Sequence, residues 1–351
     1  MLVADFDFDL PEALIAQEAR PRGASRLMVV DRTRGTWTDG AFADLPSLLS
    51  PGDLLVVNDT RVFPARLLGR RDPSGGAVEC FLLTRRSDTE WDALVSPAEK
   101  LQPGARIVID APDRAPGVVL HGQIVARGER GRRTVAFAPE GAASVDAAID
   151  LLGHVPLPPY IRRADTAEDR ARYQTVYARE RGSVAAPTAG LHFNHDVLAA
   201  FDARGIARAA VTLHVGYGTF KPVKVERVED HVVDPEPYDI PAATVAAIAA
   251  ARARGGRVVV VGTTTTRALE HAAALGGGAV TAGAGLADLF VYPGHRFAVV
   301  DALVTNFHLP QSSLLMLVSA FGGRELVLNA YRDAVARGYH FYSYGDAMVI
   351  L

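Results

Sequence analysis

Residues 301–321, Asp-Ala-Leu-Val-Thr-Asn-Phe-His-Leu-Pro-Gln-Ser-Ser-Leu-Leu-Met-Leu-Val-Ser-Ala-Phe, constrain the fold more than any other stretch of the chain. The apolar, β-branched run 301–305 predicts a short buried strand, and 314–321 supplies the apolar face of a helix. Asn306, Phe307, His308, Leu309, Pro310, Gln311, Ser312 and Ser313 form the loop between them. Ser312 or Ser313 is a natural N-cap, because its hydroxyl can satisfy a free N–H of the first helical turn. In an open α/β sheet, loops leaving the carboxyl ends of strands are where ligands sit. An amide, an imidazole and an aromatic ring in such a loop suggest a binding wall. The plainer alternative is a capped turn whose His308 bonds a backbone carbonyl.

Similar units recur along the chain. Strands are expected at 27–31, 53–57, 207–215 and 257–261, and helices near Pro11, after Asn194 up to Gly205, and at 242–254, 267–275 and 326–337. The strand 53–57 ends in Asn58, Asp59, Thr60 and Arg61, a second candidate wall. Strand 257–261 runs into Gly262 and four threonines, which can cap a helix or bind an anion at its N-terminus. A Gly/Ala-rich loop, expected to be mobile, covers 276–285, and Arg267 and Glu270 share a helix face as a surface ion pair. If the strands are parallel, the segments bearing Asn58, His192, His214, Thr263 and His308 open at one sheet edge and form one cleft.

Between about 67 and 143 the pattern changes. Short β-rich runs at 77–84, 105–110, 118–125 and 133–137 alternate with Gly, Pro and Asp turns, and no helical period interrupts them. The expected architecture is an α/β domain with a mainly parallel sheet, residues 1–62 and 150–351, interrupted by a small β-barrel domain at 63–149.

Composition narrows the chemistry. The formal net charge of −3 shows no overall basic balance, so a nucleic-acid partner needs a locally concentrated patch. The single cysteine, Cys80, excludes an internal disulfide framework and a multi-cysteine zinc site, and its strand-like setting suits core packing in a reducing compartment. The N-terminal residues lack a cationic region followed by an apolar stretch, and no apolar run approaches a bilayer span, so a cytoplasmic protein with no membrane partner is expected. Gly283-Ala-Gly285 lacks the third glycine of a dinucleotide fingerprint, no Walker lysine follows the glycines, and the histidines lack metal-ligand spacing. Imidazole as base or hydrogen-bond donor is the better use of them, and no metal is expected.

Seven blocks carry a specific likeness: Asn58-Asp-Thr-Arg-Val-Phe-Pro-Ala-Arg66, Val155-Pro-Leu-Pro-Pro-Tyr-Ile161, Ala185-Ala-Pro-Thr-Ala-Gly-Leu-His-Phe193, Val211-Thr-Leu-His-Val-Gly-Tyr-Gly-Thr-Phe220, Gly262-Thr-Thr, Val304-Thr-Asn-Phe-His-Leu-Pro310 and Phe341-Tyr-Ser-Tyr-Gly-Asp-Ala-Met348. In that order they closely resemble the S-adenosylmethionine:tRNA ribosyltransferase-isomerase family of queuosine biosynthesis. The resemblance implies transfer of the ribosyl part of S-adenosylmethionine, a co-substrate, to 7-aminomethyl-7-deazaguanine at the tRNA wobble position. The sugar rearranges to give epoxyqueuosine, adenine and methionine are released, and no prosthetic group or metal takes part. It also implies an α/β domain interrupted by a β-barrel; a monomer is expected.

Within that resemblance, His192, His214 or His308 is the base that removes a ribose C5′ proton acidified by the sulfonium, and Asp346 protonates adenine if burial raises its pKa. Phe307, Tyr292 and Tyr344 stack on adenine or face the sulfonium. The amides of Thr263 and Thr264 hold the methionine carboxylate. Thr188, Gly190, Gly216, Gly218 and Asn306 complete the cofactor-binding set, and Asn58, Arg61, Arg66, Arg162, Arg163, Arg179 and Lys221 are the tRNA-binding candidates. Two departures stand out: Asp234 replaces a histidine usual in the family, and Thr265-Thr266 replaces a usual Ser/Thr-Val pair. The first leaves room for a paralogue that splits S-adenosylmethionine but modifies another amine, and a non-catalytic tRNA-binding protein is the remaining alternative.

Overall fold

The computed structural model describes residues 1–129 and 131–351. The chain forms two compact units, one from 1–61, 158–163 and 172–351, the other from 62–157 and 164–171.

The larger unit is built on a nine-stranded sheet. Its strands are β1 (Arg26–Asp31), β2 (Thr36–Ala41), β3 (Leu54–Asn58), β4 (Ala207–Leu213), β5 (Glu236–Ile240), β6 (Val258–Val261), β7 (Gly283–Ala287), β8 (Ala302–Asn306) and β9 (Ala347–Ile350). Across the sheet they run β7-β5-β4-β3-β6-β8-β9-β1-β2. The central strands β4, β3, β6 and β8 are mutually parallel. β9 is antiparallel to β8 and parallel to β1, and antiparallel pairs also join β1 to β2, β4 to β5 and β5 to β7. The sheet is thus parallel at its centre and mixed toward both sides.

Strands β3, β6 and β8 are buried at every position, because both sheet faces are covered. The pleat divides their side chains. Leu54, Val56, Val258, Val260 and Leu303 join a core with the helices α2 (Ala242–Ala253), α3 (Thr263–Leu275), α4 (Ser313–Gly322) and α5 (Arg324–Ala336). Leu55, Val57, Val259, Val261 and Val304 face the other way, onto Val197, Leu198 and Phe201 of helix α1 (His195–Ala203). Two caps read from sequence are present: Asn194 accepts from the Val197 amide at 2.8 Å and Ser312 from the Leu315 amide at 3.2 Å.

Three local expectations change. The segment after Pro11 is a single 3-10 turn, Glu12–Leu14. Residues 283–285, expected in the Gly/Ala-rich loop, instead open edge strand β7, which runs to Ala287. Helix α3 begins at Thr263, so the threonines lie inside it and are not caps; Thr265 and Thr266 donate to the carbonyls of Val261 and Gly262 at 2.6 and 3.1 Å.

The smaller unit is a closed six-strand antiparallel barrel, in the order Arg132–Glu140, Glu90–Ser96, Ala77–Arg85, Arg66–Asp72, Arg106–Asp110 and Val119–Arg127. Closure leaves no free sheet edge. Alternate residues point inward, Val78, Cys80 and Leu82 among them, and burial pushes the Cys80 thiol up to about 12, which leaves it an inert core side chain. No single helix among the described residues is long and apolar enough to cross a membrane.

Candidate active site

The strand directions decide what meets at the carboxyl edge of the central sheet. Loops leaving β3, β4, β6 and β8 open there, and because β9 runs opposite to β8, the segment entering β9 arrives at the same edge, with Ala347 beside Asn306. A cavity of about 580 Å³ lies at this edge, within the larger unit. Gly262, Thr263 and Thr264 line it from β6 and α3; Thr305, Asn306 and His308 line it from β8. Thr188, Lys221, Tyr160, Tyr173, Tyr342 and Ser343 complete the part that matters chemically. A cavity of this size with few polar groups suits a small-molecule ligand.

At the β6 side, Gly262 precedes α3 with φ +89°, a left-handed conformation that glycine adopts without a Cβ penalty. It places no side-chain cap on the first turn of α3, whose amides and positive dipole end therefore suit an anion. Asn58 donates to Thr264 Oγ1 at 3.3 Å and to the Leu213 carbonyl at 2.9 Å, tying β3 to this turn.

Of the three candidate histidines, only His308 lines the cavity. Its Nε2 pairs with Thr305 Oγ1 at 2.9 Å, and its amide donates to the Tyr331 hydroxyl at 3.1 Å. Burial lowers its pKa to about 3, so the imidazole is neutral at pH 7. His192 sits behind the wall. Asn306 Nδ2 donates to the Tyr342 carbonyl at 2.9 Å, which fixes the amide orientation and leaves His192 Nε2 as an acceptor of the same Nδ2 at 3.1 Å. His192 Nδ1–H then donates to Ser25 Oγ at 2.8 Å. Burial takes its pKa down to about 4, with Arg22 adding to the shift and the Asn306 bond opposing it. His214 also lies outside the cavity lining; it pairs with Thr60 Oγ1 at 2.7 Å, and burial lowers its pKa.

Asp346 is fully buried and away from the cavity lining. It accepts from Arg20 Nη1 at 2.8 Å and from the amides of Arg26 and His340 at 2.9 and 2.8 Å, an arrangement that holds the carboxylate in place. The expected aromatic wall also changes. Phe307 turns into the core, 5.1 Å from the rings of both Tyr331 and Phe341. Tyr292 packs on Phe290 and Tyr344 on Tyr173, neither in the lining. Tyr160, Tyr173 and Tyr342 stand there instead. For Tyr160 and Tyr342 the only sequence signal is membership of the quoted blocks, and Tyr173 lies outside them; which tyrosine of Phe341-Tyr-Ser-Tyr faces inward is set by the φ of +74° at Tyr342, which no periodicity reveals.

The glycines play backbone roles around the site. A Cβ on Gly190 would lie 2.2 Å from the Tyr177 hydroxyl and one on Gly218 2.6 Å from Asp234 Oδ2, so both serve close packing. The Gly216 amide donates to Glu236 Oε1 at 2.8 Å. Arg267 does not pair with Glu270; it bonds Glu236 at 2.5 Å, while Glu270 accepts from the amides of Ala298, Val299 and Val300 at 2.8, 3.0 and 3.0 Å.

The proposed tRNA contacts are unequal. Asn58 is buried and spent on the fold, so it cannot reach a phosphate. Arg61 and Arg162 are exposed, Arg162 paired with Glu12. Arg163 donates to the Gln17 carbonyl, Arg179 pairs with Asp59 at 2.8 Å, and Lys221 with Asp234 at 2.5 Å. In the barrel unit, Arg66 makes a two-pronged pair with Glu79 at 2.9 and 3.0 Å.

Comparison with known proteins agrees with this geometry. The family model described as queuosine biosynthesis protein matches residues 3–350. An S-adenosylmethionine:tRNA ribosyltransferase-isomerase of Anaeromyxobacter sp. is 53% identical, covering 100% of this chain and 99% of that one, and its namesake in Symbiobacterium thermophilum is 51% identical with 100% of both covered. The crystal structure of S-adenosylmethionine tRNA ribosyltransferase from Thermotoga maritima is 37% identical, with a TM-score of 0.55 and coverage of 99% of this chain and 100% of that chain. With an α/β sheet, a closed barrel and full-length likeness in sequence, the chain belongs to the S-adenosylmethionine:tRNA ribosyltransferase-isomerase family of queuosine biosynthesis enzymes.

Proposed function

We propose that this enzyme transfers the ribosyl moiety of S-adenosylmethionine to the aminomethyl group of 7-aminomethyl-7-deazaguanine at the tRNA wobble position, isomerising it to epoxyqueuosine with release of adenine and methionine. The observation that carries the reading is a single cavity bounded by an uncapped helix N-terminus and a neutral buried imidazole. The first turn of α3 receives the methionine carboxylate. The sulfonium acidifies the C5′ hydrogens, and His308 takes the proton, since it alone of the three histidines lines the cavity. The C5′ electron pair opens the ring at C4′–O4′, and O4′ forms a carbonyl at C1′ as adenine leaves with the electron pair of the glycosidic bond and takes up a proton. The amine nitrogen bonds C4′ and gives up a proton, C5′ bonds C1′, and the C1′ oxygen closes the epoxide on C5′ as methionine leaves with the electron pair of its carbon–sulfur bond. Binding of tRNA rests on the exposed cations Arg61, Arg162, Arg179 and Lys221 and the half-buried Arg163, some of which exchange a carboxylate partner for phosphate.

The test is adenine and methionine release with and without tRNA carrying the deazaguanine precursor, with mass analysis of the nucleoside. His308→Gln is expected to lower turnover by roughly 10²- to 10⁴-fold. Unchanged turnover would remove His308 as base, and release that does not need this tRNA would move the acceptor elsewhere.

A further inference from the structure

Three cavity-lining side chains carry a polar atom that is buried and has no protein partner, the Tyr173 hydroxyl, Asn306 Oδ1 and the Tyr342 hydroxyl, of which the last two are close in sequence to His308 or to the strand that pairs with its own. Each unpaired buried group costs stability unless something completes it. Asn306 cannot turn its amide to relieve this, because Nδ2 is already committed to the Tyr342 carbonyl and to His192. Tyr342 is held in the left-handed region, φ +74°, where a bulky side chain is rare, with its amide donating to the Phe307 carbonyl at 3.0 Å. Such strain persists at sites that use it. The Tyr342 ring lies against Tyr160, centroids 4.0 Å apart, and the Tyr160 hydroxyl is fixed on Ser343 Oγ at 2.5 Å. The result is a rigid aromatic wall next to one fixed acceptor and one hydroxyl.

The position of this wall follows from the strand order. The sheet runs β6, β8, β9, so along the cavity the first turn of α3 comes first, Asn306 and His308 second, and Tyr342 third. S-adenosylmethionine has the same order of parts: carboxylate, sulfonium-bearing C5′, base. We propose that Asn306, Tyr342 and Tyr160 form the adenine subsite, in which Asn306 Oδ1 accepts from the exocyclic amino group, the Tyr342 hydroxyl donates to a ring nitrogen, and the tyrosine rings pack on the base. This makes His192 and Ser25 positioning residues that hold the Asn306 amide, with no contact to the reacting atoms. The assignment rests on the reading above that S-adenosylmethionine occupies this cavity.

The test compares calorimetric binding of S-adenosylmethionine with that of S-inosylmethionine, in which a carbonyl oxygen replaces the amino group. The wild-type enzyme should bind the inosine compound roughly 10- to 100-fold more weakly, because two acceptors then face each other. In Asn306→Ala the ratio should collapse to a few-fold. Tyr342→Phe guards against a folding defect: it should weaken S-adenosylmethionine binding several-fold while thermal stability stays level or rises, since an unpaired buried hydroxyl has gone. Equal binding of both compounds by the wild type, or a ratio untouched by Asn306→Ala, overturns the subsite even when tRNA-dependent adenine release is normal. Failure of the wild type to bind or cleave S-adenosylmethionine would sink the reaction and the subsite together.

Discussion

Two successive turns of helix α3 treat buried polar groups in opposite ways. The first turn, Thr263 and Thr264, faces the cavity with no side-chain cap. The next holds Arg267 and Glu270, both buried and fully engaged: Arg267 on Glu236 and the carbonyls of Ala287 and Leu289, Glu270 on three consecutive backbone amides. The contrast separates what fastens the helix from what it offers to a ligand. A helix end with open amides keeps its place only because its second turn is clamped to β5 and to the segment entering β8.

The clamp can be broken directly. Arg267→Met leaves Glu236 buried without its cation and is expected to cost about 3–5 kcal/mol in urea unfolding. If unfolding hardly changes, the clamp is not what fastens α3. Acid should divide the cavity side from the clamp. His192 and His308 have pKa values lowered to about 4 and about 3 from an ordinary 6.5, so the unfolded chain binds more protons below pH 6.5 and stability falls as pH drops through that window. By pH 5 the loss is on the order of 2 kcal/mol per histidine. Although burial alone would raise the Glu270 pKa, His295 and the three amides hold it below the usual 4.5, so its contribution is present above pH 4.5 and lost below it. Two steps are therefore expected in unfolding free energy against pH, and His192→Gln with His308→Gln should shrink the upper one, leaving what His214 and His231, also lowered by burial, contribute. The smallest change is at the helix start: Gly262→Ala, at φ +89°, should cost on the order of 1 kcal/mol, and weaken S-adenosylmethionine binding beyond what that predicts if the first turn is the carboxylate site.

How far these features were legible in the sequence follows from their physics. Buried strands such as 54–58 and 302–306 announce themselves as apolar runs, and Asn194 and Ser312 as caps, because each is a local preference. Convergence of loops at one edge depends on parallel strands, a condition that the four central ones meet. Arg267 and Glu270 read as a surface pair because helical spacing is all a sequence displays; buried on all sides, each found a distant partner instead. Phe307 and Tyr342 show the same limit. In an irregular loop, the direction of a side chain is decided by the tertiary contacts and the φ angle, so Phe307 packs in the core while Tyr342 lines the cavity.

The location of β9 has a consequence for how the enzyme comes into being. This strand separates β8 from the β1–β2 hairpin, and Asp346, just before it, anchors the Arg26 amide 320 residues away in the chain. During synthesis the hairpin and β8 each wait with an unpaired margin, a condition that exposes nascent chains to mispairing and slows folding. Tyr342 and Ser343 arrive with the same segment that closes this gap. Completion of the sheet and completion of the cavity wall are thus one event, and a partly made chain carries neither.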